Sequence, residues 1–381
     1  MRRVIFDQDH DDYRQAIREC LERIVVPHHA EWARAGIVPR SLFTDLGEMG
    51  VFGFGVPAEF GGAGVTDFRF NMILQEESCR LGIADAVAGA ALQADICLPY
   101  FLSGSAEQRA RWLPGIVSGE SITAVAMTEP GAGSDLSGIA TKAVRDGDHY
   151  VVDGAKTFIS NGINADRVIV VVRTGEDPHR GLSLLVVERD TPGFERGRNL
   201  DKVGLHAQDT AELFFSAARV PAANRLGPEG SGFVQLTSNL AQERLSVAAG
   251  AVAGAAIAVD WTVEHVRSRT ASGGPIGALQ HIRFRMAEMA TEIDVARQYV
   301  DRCVVEHNAG RLDAVDAAKA KWWTTELQWR VLDSCVQLHG GLGYMTEHRI
   351  TRAWADARVQ RIYAGTTEIM KDLIGRSMRL G

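Results

Sequence analysis

Apolar positions in the first third of the chain follow a helical period. They recur every three or four residues over 13–24 and again over 70–81, with charged residues between them, as in amphipathic helices. The segment 55–64, GVPAEFGGAG, is so rich in glycine and proline that it predicts an irregular loop. The pattern predicts a helical N-terminal domain over residues 1–121.

The pattern changes near Ser121, where short runs of β-branched and aromatic residues begin. Turn signals separate the runs, and no stretch of helical period lies between them. Strands without intervening helices favour an antiparallel sandwich or barrel over parallel βαβ units. The sequence therefore predicts a middle antiparallel β domain over residues 122–231, with strands at SITAVAM, HYVVDG, RVIVVVR, SLLVVER and AELFF.

From Gly232 the helical period returns, which predicts a C-terminal helical domain over residues 232–381. Apolar residues over 282–303 alternate in steps of four and three, the spacing of a long amphipathic helix. The apolar, small-residue run at 245–259 is too short to span a bilayer and predicts a buried helix. The chain is thus helical, then β, then helical.

Composition and charge narrow the function classes. The 381 residues carry a net charge of −7 at a sequence pI near 5.9, which gives no basic footprint for nucleic acid. The five cysteines are scattered without CxxC spacing, which argues against a disulfide framework and a zinc site and favours a reducing compartment. The N-terminal segment lacks the apolar region of a secretory signal. We expect a cytoplasmic protein with no metal, no nucleic-acid partner and no membrane association.

Two Gly-rich motifs in the β region carry polar and aromatic groups. MTEPGAGSD offers the hydroxyls of Thr128 and Ser134 on a turn whose glycines let a phosphate or an aromatic ring approach, although it does not match the dinucleotide fingerprint GxGxxG. GAKTFISNG places Phe158 before Ser160, an aromatic face and a hydroxyl that could hold a flat heterocycle. A plain β-turn and a hairpin with a core phenylalanine are the alternatives.

Two motifs in the C-terminal region carry an acid and a helix start. Glu243, in QERL, leads into the apolar run, so we expect a buried carboxyl with a raised pKa, suited to a general base; an ion pair with Arg244 or another arginine is the alternative. HGGLGY predicts a helix end where backbone can approach a ligand. In GTTEI, Thr366 predicts an N-cap with Glu368 in the first turn, which could serve an anion or a polarised carbonyl or simply cap the helix.

Together, MTEPGAGSD, GAKTFISNG, QLHGGLGY and IYAGTTEI resemble the motifs of the acyl-CoA dehydrogenase family, in the family's order and over essentially the whole chain. The resemblance implies an α+β multidomain fold: an N-terminal helical domain, a middle β domain and a C-terminal four-helix bundle, usually assembled as a homotetramer. It implies FAD as the cofactor, held without a Rossmann fingerprint.

The resemblance also assigns residues to the cofactor, with Ser160 near flavin N5 and Ser134 near both the FAD pyrophosphate and the substrate. The implied sets are Met127, Thr128, Ser134, Phe158 and Ser160 around the flavin; Arg269, Gln280, Gln337 and Gly341 against FAD across a subunit interface; and Thr366 and Glu368 against FAD at the end of the active-site segment.

Two positions bear on the catalytic base. Many family members carry it in an IYEGT segment, where this chain has Ala364, which cannot take a proton. A subset that resembles long-chain and isovaleryl dehydrogenases places a Glu before an Arg on a C-terminal-domain helix, where this chain has Glu243 and Arg244. The resemblance therefore makes Glu243 the base, with Arg244, Ala364 and Gly365 at the substrate.

The implied reaction is α,β-dehydrogenation of an acyl-CoA to the trans-2-enoyl-CoA, as in fatty-acid β-oxidation. Glu243 removes the α proton as a hydride leaves the β carbon, and the backbone N–H of Ala364 or its neighbour hydrogen-bonds the thioester carbonyl together with a flavin ribityl hydroxyl. Electrons then pass to an electron-transfer flavoprotein. The alternatives are an acyl group on a carrier protein, a flavin oxidase of the same fold and a catalytically silent thioester binder.

Three positions carry further expectations. The family's RxxFG motif has Ser272 in place of Phe, which predicts weaker retention of FAD. Ala241 replaces a polar residue that assists CoA binding in some relatives, which leaves CoA and a carrier-protein phosphopantetheine both open. Asp95 lies in a segment that lines the acyl pocket in relatives. We expect it to be a helix cap or a surface residue, and a polar residue of the pocket is the alternative.

Overall fold

The structure, a computed structural model, describes residues 3–178, 180–271 and 273–379. A helical segment, a β sheet and a second helical segment follow one another along the chain. The helical, β, helical order predicted from the hydrophobic pattern is therefore confirmed.

The N-terminal segment consists of helices whose starts are encoded locally. Asp7, Asp67 and Ser105 each accept a hydrogen bond from a backbone N–H of the helix that follows, which satisfies one of the unpaired donors of the first turn. A π-helical turn, Gln93–Cys97, joins two of the helices into one continuous stretch. The helices are α1 (Gln8–Ile24), α2 (His29–Ala35), α3 (Ser41–Glu48), α4 (Phe68–Leu81), α5 (Ala84–Leu92), α6 (Leu98–Leu102) and α7 (Ala106–Val117).

One sheet forms the middle of the fold, with the strand order β6-β7-β3-β2-β4-β5-β8 and β1 beside β4. The sheet is mainly antiparallel, but β1 runs parallel to β4, a detail that the runs of apolar residues did not reveal. The strands are β1 (Thr123–Ala126), β2 (Lys142–Asp146), β3 (His149–Ser160), β4 (Arg167–Arg173), β5 (Leu182–Glu188), β6 (Phe194–Asn199), β7 (Thr210–Pro221) and β8 (Arg225–Leu226).

Strand β4 shows why its sequence is continuously apolar. Its residues between Arg167 and Arg173 are all buried. Ile169 and Val171 pack in one cluster with aromatic residues of α6 and α7, while residues of the opposite face pack against β3 and β7. A strand covered on both faces has no polar side to expose.

The C-terminal segment is a bundle built on three long helices, to which two shorter ones add. The predicted amphipathic helix at 282–303 lies inside α9, and the run at 245–259 lies inside α8, where most of its residues are buried. The helices are α8 (Gly232–Ser268), α9 (Gln280–Asn308), α10 (Ala314–His339), α11 (Arg349–Ala357) and α12 (Thr367–Ser377), and a short hairpin of β9 (Thr270–Ala271) and β10 (Gly274–Pro275) joins α8 to α9.

Helix α8 is the element that connects the two helical segments. It packs against α4 and the π turn on the N-terminal side of the chain and against α9 and α10 of the C-terminal segment. Small residues make this approach possible, since a Cβ added to Gly250 would lie 2.6 Å from Gln75 Oε1. The apolar run was expected to be too short for a bilayer, but the whole helix is long and apolar enough by length and composition. Because 67% of its most apolar window is buried inside the protein, its apolar surface belongs to the core.

Candidate active site

Glu243 lies in the first half of α8, where the helix faces α6. Its side chain is only 4% exposed, so the predicted burial is confirmed. Its Oε1 atom accepts a hydrogen bond from the hydroxyl of Tyr100 at 3.1 Å. Arg244 attracts it electrostatically, but Glu243 forms no ion pair with any residue of the described ranges. The alternative of a structural ion pair is therefore wrong.

The surroundings of Glu243 change its acidity. Burial raises its pKa from 4.5 to about 7, against the smaller, opposite effects of the Tyr100 hydrogen bond and the charge of Arg244. In a buried, poorly polarisable environment the charged carboxylate is poorly solvated, so it is destabilised and becomes a stronger base. Such a group can accept a proton near neutral pH, as the sequence predicted for a general base.

The turn at Ala364 and Gly365 offers hydrogen-bond donors. Both residues have left-handed backbone conformations, with φ values of 51° and 95°. Their two N–H groups have no acceptor within the described part of the chain. Free, successive N–H groups of this kind make a concave site for a developing oxyanion. Ala364, which has no carboxyl, therefore offers a backbone N–H at this turn.

Lys321 links this turn to the neighbourhood of Glu243. Its buried ammonium donates a hydrogen bond to the Gly365 carbonyl at 2.5 Å. Burial, and next the positive charge of Arg244, lower the pKa of Lys321 to about 8. Lys321 therefore holds the turn from α10 and interacts electrostatically with Arg244 of α8.

Arg244 is the second charged residue of this region, and it is buried as well. Its Nε atom is enclosed and has no hydrogen-bond partner in the described ranges. A buried donor without a partner carries an energetic cost, which an acceptor on a bound ligand would relieve. This observation fits the substrate-binding role that the resemblance implies for Arg244.

The start of α12 follows the turn directly. The Thr366 side chain accepts a hydrogen bond from the N–H of Ile369 at 3.4 Å, and Glu368 lies in the first turn. The predicted N-cap is confirmed. The cap fixes the direction in which the chain leaves Gly365, and with it the orientation of the free N–H groups.

The residues assigned to the flavin ring meet where β3 passes the end of β1. The N–H of Thr157 donates to the carbonyl of Thr128 at 2.9 Å, and the buried Lys156 donates to the carbonyl of Met127 at 3.0 Å. Phe158, which follows Thr157, has a left-handed φ of 61° and is 69% exposed. The alternative of a core phenylalanine is therefore wrong, since the strand presents this ring outward.

The polar members of the flavin set are accessible at the surface. Ser160 ends β3, opposite Thr210, and is partly exposed. Ser134 is exposed on the loop after β1, where Gly131 and Gly133 leave open space in place of a Cβ. An exposed aromatic face, hydroxyls and an accessible Gly-rich backbone are the donor set that a flat heterocycle with a phosphate chain requires. These residues fit FAD.

The residues assigned across a subunit interface form a second group. The rings of His265 and His339 stack with centroids 4.3 Å apart, so the C-terminal ends of α8 and α10 meet. Arg269 follows the end of α8, and Gln280 begins α9 after the hairpin; both are exposed. The exposed Gln337 and Gly341 flank the end of α10. The four residues thus lie toward one end of the bundle, whereas Ser272 lies outside the described residues.

Three residues of this region differ from the sequence-based expectations or carry no sequence signal. Asp95 was expected to be a helix cap or a surface residue, but it is 1% exposed and lies in the π turn. Tyr100 and Lys321 were not singled out. A lone tyrosine in LPYFL and a lysine among alanines of a helix carry no motif, and only the packing of distant segments shows their contacts with Glu243 and Gly365.

Comparisons with known proteins cover nearly the whole chain. Family models described as the N-terminal, middle and C-terminal domains of acyl-CoA dehydrogenase match residues 7–120, 124–218 and 230–379. The long-chain specific acyl-CoA dehydrogenase of Sus scrofa mitochondria is 44% identical over 99% of this chain and 88% of its own length.

Solved structures agree with these matches. An acyl-CoA dehydrogenase from Geobacillus kaustophilus is 49% identical, with a TM-score of 0.96 over 98% of this chain and 99% of its own. A glutaryl-CoA dehydrogenase from Mycobacterium smegmatis, solved in complex with FADH2, is 27% identical, with a TM-score of 0.89 over 98% of this chain and 95% of its own.

Proposed function

The chain belongs to the acyl-CoA dehydrogenase family, and from this premise we propose that Glu243 is the base with which it dehydrogenates an acyl-CoA between the α and β carbons. The observation that carries the proposal is the buried Glu243 carboxyl beside the Tyr100 hydroxyl, whose pKa burial raises to about 7. No carboxyl stands at Ala364, where many family members carry one.

Different residues of the chain act on the proton and on the thioester carbonyl. The Glu243 carboxylate takes the α proton of the thioester, and the N–H of Ala364 or Gly365 hydrogen-bonds the thioester carbonyl as negative charge develops on its oxygen. Bound FAD supplies the acceptor for the hydride that leaves the β carbon. One C–H bond is broken at each carbon, and the trans-2-enoyl thioester results.

The residues around the cofactor hold it in place. Phe158 and the backbone at Met127 and Thr128 would lie against the flavin ring, and Ser160 would donate a hydrogen bond to it. Ser134 and the Gly-rich backbone beside it would receive the pyrophosphate. The exposed aromatic ring, the hydroxyls and the open backbone are the support for this assignment.

The reaction is tested by its product. The FAD-loaded protein is incubated with acyl-CoAs of short to long, straight and branched chains and an artificial electron acceptor, and the thioesters are analysed by mass spectrometry. We expect at least one acyl-CoA to lose two hydrogens and become the trans-2-enoyl-CoA. If only acyl groups on a carrier protein react, the CoA assignment is wrong, and rapid consumption of O2 without an acceptor would indicate an oxidase.

We also propose that the protein assembles as a homotetramer. Arg269 and Gln337 are exposed at one end of the bundle, where they could reach FAD bound to a second copy, and large apolar side chains such as Phe284, Leu342 and Tyr344 are exposed on the C-terminal segment. Exposed apolar surface of this kind marks interaction sites. Light scattering of the FAD-loaded protein would give the mass of four chains, and a monomer would contradict the proposal.

The proposal extends to the protein that accepts the electrons and to the cellular compartment of the enzyme. The family implies an electron-transfer flavoprotein as the acceptor, and the test is whether such a protein reoxidises the enzyme after reduction by substrate. Five free cysteines favour a reducing compartment, so we propose the cytoplasm, which fractionation of the native cells would test.

A further inference from the structure

The helical stretch from Ala84 to Leu102 contacts α8 around the base. It contains the π turn Gln93–Cys97, and a π turn interrupts the regular pairing of helix carbonyls, often at functional sites. The carbonyl of Asp95 is taken by the side chain of Gln242, whose Nε2 donates to it at 2.7 Å. The irregular turn is thus hydrogen-bonded to Gln242, the residue that immediately precedes Glu243.

Two further hydrogen bonds join the same segments. Ser246 Oγ donates to Asp95 Oδ2 at 2.5 Å, and Tyr100 donates to Glu243 Oε1 at 3.1 Å. The contacts made by Gln242 and Ser246 lie on either side of Glu243 in α8. They fix the position of α8 along the π-turn segment, so the Tyr100 hydroxyl meets the carboxylate at a defined place.

Asp95 is held firmly enough to anchor this arrangement. Its Oδ1 also accepts from Asn71 Nδ2 and its Oδ2 from Gln75 Nε2, both at 2.7 Å. Asn71 and Gln75 belong to α4, so three helical segments meet at one carboxyl. A fully enclosed polar group whose hydrogen bonds are satisfied rigidifies the structure around it.

We propose that Tyr100 is a positioning residue for the base: its hydroxyl holds one oxygen of Glu243 and leaves the other directed at the α carbon of the acyl thioester. This inference rests on the proposed role of Glu243. Tyr100 is fully buried, and Oε2 of Glu243 has no hydrogen-bond partner among the residues that the structure describes. The carboxylate is therefore held from one side and available from the other.

The Tyr100 hydroxyl also changes the pKa of Glu243. The charge states of the groups around Glu243 determine the direction of this change. Burial and the carboxylate raise the pKa of Tyr100 well above its ordinary value, and burial raises that of Cys97 to about 12, so both stay neutral. Because the Tyr100 hydrogen bond favours the charged carboxylate, its removal raises the pKa of Glu243 further. The titratable and charged groups that face Glu243 are Tyr100 from α6, Cys97 from the π turn and Arg244 from α8, with Lys321 from α10 next to Arg244.

The test removes only the hydroxyl, in Tyr100→Phe, and measures the rate of flavin reduction by a reactive acyl-CoA across pH. We expect the acid limb of the profile to move up by about one pH unit, the equivalent of one hydrogen bond to a charged group. At high pH, where Glu243 is ionised in both proteins, we expect the variant to remain slower by about tenfold because the carboxylate is less well oriented.

Tyr150→Phe is the matched control. Tyr150 is equally buried, and its hydroxyl also bonds a carboxylate, that of Glu229, but it lies in β3, in the middle sheet. This variant loses the same atom and should keep the wild-type profile. If Tyr100→Phe gives the wild-type profile as well, or both variants shift alike, the proposal is wrong.

A second readout does not depend on turnover. In pH-difference infrared spectra, the C=O stretch of protonated Glu243 is the band that disappears in Glu243→Gln. Its midpoint should lie higher in Tyr100→Phe than in the wild type, and an unchanged midpoint overturns the proposal. If no acyl-CoA reduces the flavin, the proposed function fails while the infrared midpoint still decides whether Tyr100 acts on Glu243.

Discussion

Glu243→Gln should stabilise the fold at alkaline pH although it removes the base. The pKa of Glu243 is about 7 in the folded protein against an ordinary value of 4.5. Between these values the folded state binds more protons than the unfolded state, so the free energy of unfolding falls as pH rises. Above pH 7 the wild type must keep a buried charge, which glutamine does not have.

The magnitude follows from the pKa. The rise from 4.5 to about 7 corresponds to about 3 kcal/mol, at about 1.4 kcal/mol for each pH unit. Near pH 5 most of this difference is absent, and less than about 1 kcal/mol remains. With an unfolding entropy of about 2.1 cal/mol/K per residue, a chain of 381 residues converts 3 kcal/mol into a rise of about 4 °C in Tm.

The assay is thermal unfolding of the FAD-loaded wild type and variant, followed by circular dichroism near pH 5 and near pH 8.5. The predicted result is a higher Tm for Glu243→Gln at the upper pH and little difference at the lower. Equal gains at both pH values, or a loss at the upper one, would refute the argument that the charge of Glu243 is costly in the fold.

Glu77→Gln provides a control of opposite sign. The carboxylate of Glu77 is bound by Arg14 and Arg18 at 2.9 and 2.7 Å, and the arginine contacts outweigh burial and lower its pKa. A lowered pKa means stability that is present above the ordinary value of 4.5 and lost as pH falls below it. This variant should therefore lose stability at both pH values.

Two further predictions concern the turn and the cofactor. Lys321→Met keeps the buried volume but removes the hydrogen bond to Gly365, so single-turnover flavin reduction should slow by about tenfold. Lys319→Met, which removes a partly exposed lysine of the same helix, should not slow it, and equal rates in both variants would contradict the role of Lys321. Ser272→Phe should slow the loss of FAD on dialysis, and stoichiometric flavin absorbance of the dialysed wild type would contradict weak retention.

The sequence predicted those features that local patterns encode. The run RVIVVVR became β4, the period over 282–303 became part of α9, and Thr366 caps α12 as its spacing to Glu368 suggested. Burial of Glu243 followed from the apolar run next to it. Each of these depends on neighbours within a few positions along the chain.

The remaining features depend on contacts between distant segments. The strands β2, β6 and β8 carry charged residues, as in KAVRD and FERGRN, and exist because neighbouring strands pair with them. Tyr100 meets Glu243 across 143 positions, and Asp95 is buried because polar side chains of α4 and α8 converge on it. No local pattern distinguishes such residues from ordinary core or surface positions.

The central claim is that Glu243 takes the α proton, and anaerobic mixing of acyl-CoAs with the FAD-loaded wild type and Glu243→Gln tests it most directly. The visible flavin absorbance should bleach in the wild type with at least one chain length, and in the variant the bleaching should be slower by about 10²- to 10⁴-fold. Bleaching at the wild-type rate in Glu243→Gln would contradict the account and require another carboxylate to act as the base.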